Sequence, residues 1–160
     1  MHANSLRLMT AFVEKYASFA ERRLVYDVGS CDVNGTYRPL IERAGFRYVG
    51  LDMAQGTNVD VVVPEQGNWL LPEQSDVTIS GQCLEHTKRP WEWFQKVCAI
   101  TKPGGLLSII APWNFHVHRY PVDCWRILPD GMRALFEWMD LEVLDVGISD
   151  KDCYGFARKR

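Results

Sequence analysis

This chain of 160 residues lacks several features, and each absence narrows its function. It has no CxxC pair, and its five cysteines are scattered at positions 31, 83, 98, 124 and 153. An odd, dispersed set supports neither a disulfide framework nor a zinc knuckle, and points to a reduced, cytoplasmic protein. No apolar run approaches the ~20 residues that span a bilayer. Glu14 and Lys15 interrupt the early apolar positions, so no signal-peptide core is expected. A net charge of −2 exerts no pull toward nucleic acid, and the basic end, Arg158-Lys159-Arg160, reads as a solvated tail. No internal repeat or low-complexity linker divides the chain. The expectation is one domain over 1–160, with an N-terminal helix (1–22) and a core (24–160).

Apolar spacing predicts the elements. Leu6, Met9, Phe12, Val13, Tyr16 and Phe19–Ala20 recur at helical intervals over 5–22. Short apolar runs predict strands at 24–28, 48–52, 59–63, 76–80 and 106–111, the last preceded by a Pro103-Gly104-Gly105 turn. Helices are expected over 36–44, ended by Gly45, from Pro90 to about 101, and over 129–139. Two closing strands, 141–147 and 153–157, are joined by a polar turn. Alternating strands and helices predict a parallel α/β sheet, and the closing hairpin predicts an antiparallel edge. The connections around the third strand are too short for a full crossover helix, so one helical layer is expected to be thin.

The loop after the first strand carries Asp27, Gly29, Ser30, Asp32, Asn34 and Gly35. In doubly wound sheets this loop lies at the ligand-binding edge. It is not GxGxxG, and its carboxylates repel phosphate but suit a cationic ammonium group. Asp52, at the end of the second strand, is placed either to accept hydrogen bonds from ribose hydroxyls or simply to form a turn. A ligand with a ribose, an ammonium group and no pyrophosphate points to S-adenosyl-L-methionine.

The segments "DVGSCDVNGTYRPL", "YVGLDMAQGTNVDVVV", "SDVTISGQCLEH", "KPGGLLSIIAP" and "HRYPVDCWRILPDGM", in this order, resemble class I S-adenosylmethionine-dependent methyltransferases, and within them the methyltransferase type 11 domain branch. The resemblance runs from about residue 24 to the C-terminus. It implies a Rossmann-like seven-stranded, mostly parallel sheet with an antiparallel last strand. It also implies that the 27–35 loop cradles the methionine moiety, Asp52 binds the ribose, Met53 packs on the adenine and Gln82 lies by the amino-acid end. The chain departs from the family pattern at Cys31-Asp32, where many members carry a second glycine. It departs again at Pro64-Glu65-Gln66, where an adenine-facing acid is expected.

Methyl transfer is an in-line displacement at a sulfonium carbon, so the protein must align the nucleophile and, for a hydroxyl, remove its proton. Glu85 and His86 follow the fourth strand, as functional groups or as helix-initiating and capping ones. The segment "APWNFHVHRYPVDCWRILPDGM" concentrates two histidines, two arginines and several aromatics at the ligand edge. His118 is the preferred base, because an unperturbed histidine titrates near ~6.5. Asp123 orients it or replaces it. Trp113, His116 and Tyr120 are candidate substrate contacts, and Arg119 and Arg126 are candidate anion binders. A competing reading makes Asp123 and Arg126 a buried pair that shapes the loop. No metal is expected, because His116 and His118 point to opposite faces of an extended segment.

The leading functional reading is O-methylation of a small molecule or of a glycan- or lipid-linked intermediate. With no obvious inserted lid, the expectation is an open pocket, one shared between protomers of a homodimer, or a shallow site that accepts a large substrate. The alternative is a non-catalytic S-adenosylmethionine-binding scaffold. A nicotinamide-dependent dehydrogenase is disfavoured by the missing GxGxxG.

Overall fold

The computed structural model describes residues 2–17 and 23–160. The expected helical positions Phe19–Ala20 lie outside the described residues. Seven strands form one sheet: β1 (Leu24–Val28), β2 (Arg47–Asp52), β3 (Val61–Val62), β4 (Ser75–Gly81), β5 (Thr101–Pro112), β6 (Leu141–Ser149) and β7 (Asp152–Lys159). Their spatial order is β3-β2-β1-β4-β5-β7-β6. The strands from β3 through β5 pair in parallel, and β7 runs antiparallel to both β5 and β6. The sequence expectation of seven strands with an antiparallel edge therefore holds.

β1 shows why its sequence is nearly all apolar. Successive side chains point to opposite faces, and both faces are covered. Leu24, Tyr26 and Val28 face a core built with Phe94 and Val97 of α3 (Pro90–Ala99) and Met132 and Phe136 of α4 (Pro129–Trp138). Phe94 and Phe136 stack with ring centroids 5.7 Å apart. Val25 faces the second core, which takes Leu8, Met9 and Phe12 from α1 (Ala3–Phe12), Val13 from the π turn that extends it (Val13–Ala17), and Ile41 from α2 (Arg38–Arg43). No helix lies between β2 and β4 among the described residues, as the short connections required.

Three local expectations change. The third strand is just Val61–Val62, because Val59 and Val63 are buried beyond its ends while the strand itself is exposed at the sheet edge. The Pro103-Gly104-Gly105 turn is absorbed into β5, where it accompanies a register shift against β4 between Ser75 and Val77. The basic end belongs largely to β7, and Lys159 Nζ donates to the Cys98 and Thr101 carbonyls, each at 2.8 Å.

The sheet reverses its winding between β1 and β4, so the loops after these strands diverge and leave a crevice. The chain packs tightly at its base. Gly29 has φ 81, and a Cβ there would lie 2.6 Å from both Cβ and Sγ of Cys83 on the opposite loop. Glycine is thus required twice at this position, for its backbone angle and for the close approach. Gly29 and Ser30 N–H both donate to the Leu51 carbonyl, at 2.9 and 3.1 Å, tying the first loop to the end of β2.

Candidate active site

The crevice opens into a cavity of about 780 Å³, within the ordinary range of small-molecule sites. Its floor is the β1 loop, its flanks are the loops after β2 and β4, and its roof is the segment after β5. Of the sequence-predicted residues, Asp27, Gly29, Ser30, Asn34, Asp52, Met53, Gln82, His86, His118 and Tyr120 line it.

Asp27 is buried and accepts a hydrogen bond from the Tyr48 hydroxyl at 2.6 Å. Burial pushes its carboxyl up to about 7, against the opposing effects of the Tyr48 hydrogen bond and the Arg38 charge. Asp52 stands at the end of β2, where its Oδ2 accepts from the Cys31 backbone N–H at 3.0 Å and its Oδ1 from Ala54 at 3.3 Å. Both contacts orient the carboxylate at the cavity wall. Asp32 does not line the cavity. It receives the Gly35 N–H at 2.6 Å and so braces the loop as a turn. Gln82 donates to Asp152 at 3.0 Å, which fixes its amide at the cavity edge.

The second half of the site is a cluster of rings and charges. The 3₁₀ turn Leu84–His86 buries Glu85 completely, and neither of its carboxyl oxygens has a hydrogen-bond partner. Burial pushes this acid up to about 8. His86 Nδ1 lies 2.6 Å from the Val122 carbonyl, and burial lowers the pKa of the ring. His118 Nδ1 lies 3.2 Å from the His116 carbonyl and 3.4 Å from Asp123 Oδ2. The His86 and His118 rings meet edge-on with centroids 4.9 Å apart, and Tyr120 stands against both.

Asp123 is almost wholly enclosed. It accepts the His118 backbone N–H at 2.7 Å and two hydrogen bonds from Arg126, at 2.7 and 2.8 Å. The Arg126 guanidinium holds its carboxyl well below the usual range. Arg126 also donates to the Phe115 and His116 carbonyls, so it staples the loop and does not reach the cavity. Trp113, His116 and Arg119 also lie off the cavity lining. Trp113 is bound to the β6–β7 turn through its backbone N–H to Lys151 and its indole N–H to Asp150.

Sequence reasoning missed several lining residues. His2 reaches the cavity from the start of α1, 3.3 Å from Asp152, with its ring stacked on Phe115. Trp69 lines the stretch after β3, where its indole donates to the Pro64 carbonyl and Lys96 sits over its ring. These residues come from distant parts of the chain, and no short motif marks them. Trp91 and Trp93 diverge as helical spacing requires. Trp93 packs in the core and edges the cavity, whereas Trp91 is exposed against Trp125.

Solved structures share this architecture. A Burkholderia thailandensis 1,6-didemethyltoxoflavin-N1-methyltransferase, crystallised with its substrate and S-adenosylhomocysteine, superposes with a TM-score of 0.76 at 14% identity, covering 97% of this chain and 78% of that one. The chain has the class I S-adenosylmethionine-dependent methyltransferase fold. A methyltransferase from Aquifex aeolicus matches over 100% of both chains, with a TM-score of 0.67 and 15% identity. The 4+2 cyclase SpnF matches with a TM-score of 0.72 at 14% identity, covering 96% of this chain and 80% of that one. An uncharacterized methyltransferase of Mycobacterium leprae is 29% identical over 99 residues, which cover 54% of this chain and 36% of the relative. The match therefore spans about a third of the curated relative's length. No family model matches the chain.

Proposed function

We propose that this protein is an S-adenosylmethionine-dependent methyltransferase that methylates an oxygen of a small molecule or of a glycan- or lipid-linked intermediate. One observation carries the reading: a single cavity joins the carboxylates of Asp27 and Asp52, beside a glycine-floored turn, to His118. The fold alone does not decide the reaction, since a cyclase shares it.

Asp52 accepts the ribose hydroxyls, and Met53, Val63 and Trp69 supply apolar contacts for the adenine. Gly29 would leave room for the methionine part, and Asp27 and Gln82 would hold its amino-acid end, Asp27 through the ammonium group. The acceptor enters beneath Tyr120. His118 Nε2 is the candidate to take the proton of the acceptor hydroxyl, because Nδ1 is already committed to oxygen acceptors. The oxygen then forms its bond to the methyl carbon as the carbon–sulfur bond breaks, leaving the electron pair on sulfur.

Methyl transfer assayed across sugars and polyprenyl-linked glycans tests this reading, with His118→Ala in parallel. The expected result is transfer by the wild type and at least a 100-fold loss in the variant, with S-adenosylhomocysteine affinity retained. Cofactor binding with no transfer to any acceptor would favour the scaffold reading.

A further inference from the structure

Three side chains outside any single motif converge below the segment after β5. Glu85, His86 and His118 each offer a ligand atom, and these atoms lie within 4.8 Å of one another. Glu85 Oε1 is 3.7 Å from His86 Nε2 and 4.0 Å from His118 Nε2. One feature of this cluster lacks an explanation within the protein. Glu85 is fully buried with both carboxyl oxygens unpartnered, an arrangement that folding disfavours unless something binds there. Arg126, whose charge acts on Glu85, is engaged by Asp123.

The histidines are also already oriented. Val122 O, His116 O and the Asp123 carboxylate can only accept hydrogen bonds. Each ring therefore carries its proton on Nδ1 and turns a bare Nε2 toward Glu85. Metal-bound histidines are held in the same way, with a carbonyl or carboxylate on the far ring nitrogen.

We propose that Glu85 Oε1, His86 Nε2 and His118 Nε2 bind a divalent first-row transition-metal ion whose remaining coordination positions face the cavity. Two imidazoles and one carboxylate form a donor set suited to zinc, iron(II) or cobalt(II). Bonds of about 2.1 Å in tetrahedral geometry separate donors by about 3.4 Å, so binding the ion draws the side chains together by up to about 1.4 Å. His86 and His118 line the cavity and Glu85 lies behind them, so the protein ligands occupy one side of the ion. An open side is characteristic of a catalytic site and not of a closed structural one.

The mechanistic consequence rests on the methyltransferase reading. An acceptor hydroxyl bound to the ion ionises at neutral pH and releases its proton to solvent water. The metal-held oxygen forms the new bond to the methyl carbon. The carbon–sulfur bond breaks with its electron pair on sulfur, giving the methyl ether and S-adenosylhomocysteine. In this loaded state His118 is a ligand and not the base, and Asp123 is a positioning residue.

Cobalt(II) titration of chelator-stripped protein, followed by visible d–d absorption and elemental analysis, tests the site. The expected result is one cobalt per chain, with affinity reduced at least tenfold in Glu85→Gln and in His118→Ala, and about 10- to 100-fold in Asp123→Asn. Circular dichroism melts confirm that each variant is folded, and His118→Ala, at a partly exposed position, serves if Glu85→Gln unfolds. No saturable binding, or equal binding by these variants, overturns the proposal. So does methyl transfer at full rate in excess chelator, an outcome that leaves the methyltransferase reading intact. Cobalt bound through these residues in a protein that ignores S-adenosylhomocysteine supports the site and sinks the cofactor assignment.

Discussion

Arg126 grips Asp123 through two parallel hydrogen bonds, at 2.7 and 2.8 Å, while the carboxylate also receives the His118 backbone N–H. This pair, three residues apart, sets the shape of the segment over the cavity. Arg126→Ala leaves an enclosed carboxylate without its cation and is expected to destabilise the protein by about 3 kcal/mol. Urea unfolding at pH 7 checks it, and a loss under about 1 kcal/mol would show that the pair is solvated. The Asp123 pKa is lower in the folded than in the unfolded protein. Its stabilisation is therefore complete above the unfolded value, near ~3.9, and is lost as pH falls below it. Asp123→Asn should lack that part of the acid transition.

Asp27 has the opposite sign. Its folded pKa is raised to about 7, so it favours folding most at low pH and loses that contribution as pH rises through about 7. Asp27→Asn, which keeps an oxygen for the Tyr48 hydroxyl, should melt higher than the wild type at pH 8 and converge with it, or fall below it, at pH 5. A cationic ligand group favours the carboxylate. S-adenosylhomocysteine should accordingly bind the wild type more weakly at pH 6 than at pH 8, by up to about tenfold, and Asp27→Asn should flatten that dependence. Calorimetric titrations at the two pH values check the prediction.

Gly29 and Gly45 offer a matched comparison. Both have positive φ, 81 and 86, but a Cβ at Gly29 meets Cys83 at 2.6 Å whereas one at Gly45 meets nothing within 4 Å. Gly45→Ala should cost about 1 kcal/mol, the backbone penalty alone. Gly29→Ala should cost at least about 2 kcal/mol more, as overpacking adds to it, and should weaken cofactor binding. Equal losses in urea melts would remove the close-approach argument.

Much of the architecture was legible because it follows from periodicity. β1 was read at its true bounds, 24–28, since burial on both faces demands an unbroken apolar run. Gly45, with φ 86, marked the end of α2. The Asp27–Gly35 loop and Asp52 were legible because they sit at strand ends, where the topology dictates a site. The roof of the cavity was less so. Arg126, Trp113 and His116 look like binding residues in the sequence, but a long loop must satisfy its own backbone, and Arg126 and Trp113 supply those contacts. Glu85 was readable as a helix-initiating acid. Its burial beside His118, 33 residues away, depends on how the β4 and β5 loops fold over one another.

Asp52 bears the central claim, since a ribose-binding carboxylate separates a nucleoside site from a merely acidic crevice. The decisive measurement is calorimetric titration of the purified protein with S-adenosylhomocysteine and, separately, with NAD, repeated on Asp52→Ala. The account predicts one saturable S-adenosylhomocysteine site, weakened about 10- to 100-fold by the substitution, as expected for losing hydrogen bonds to a charged group, and no NAD binding. NAD binding without any response to S-adenosylhomocysteine would contradict it.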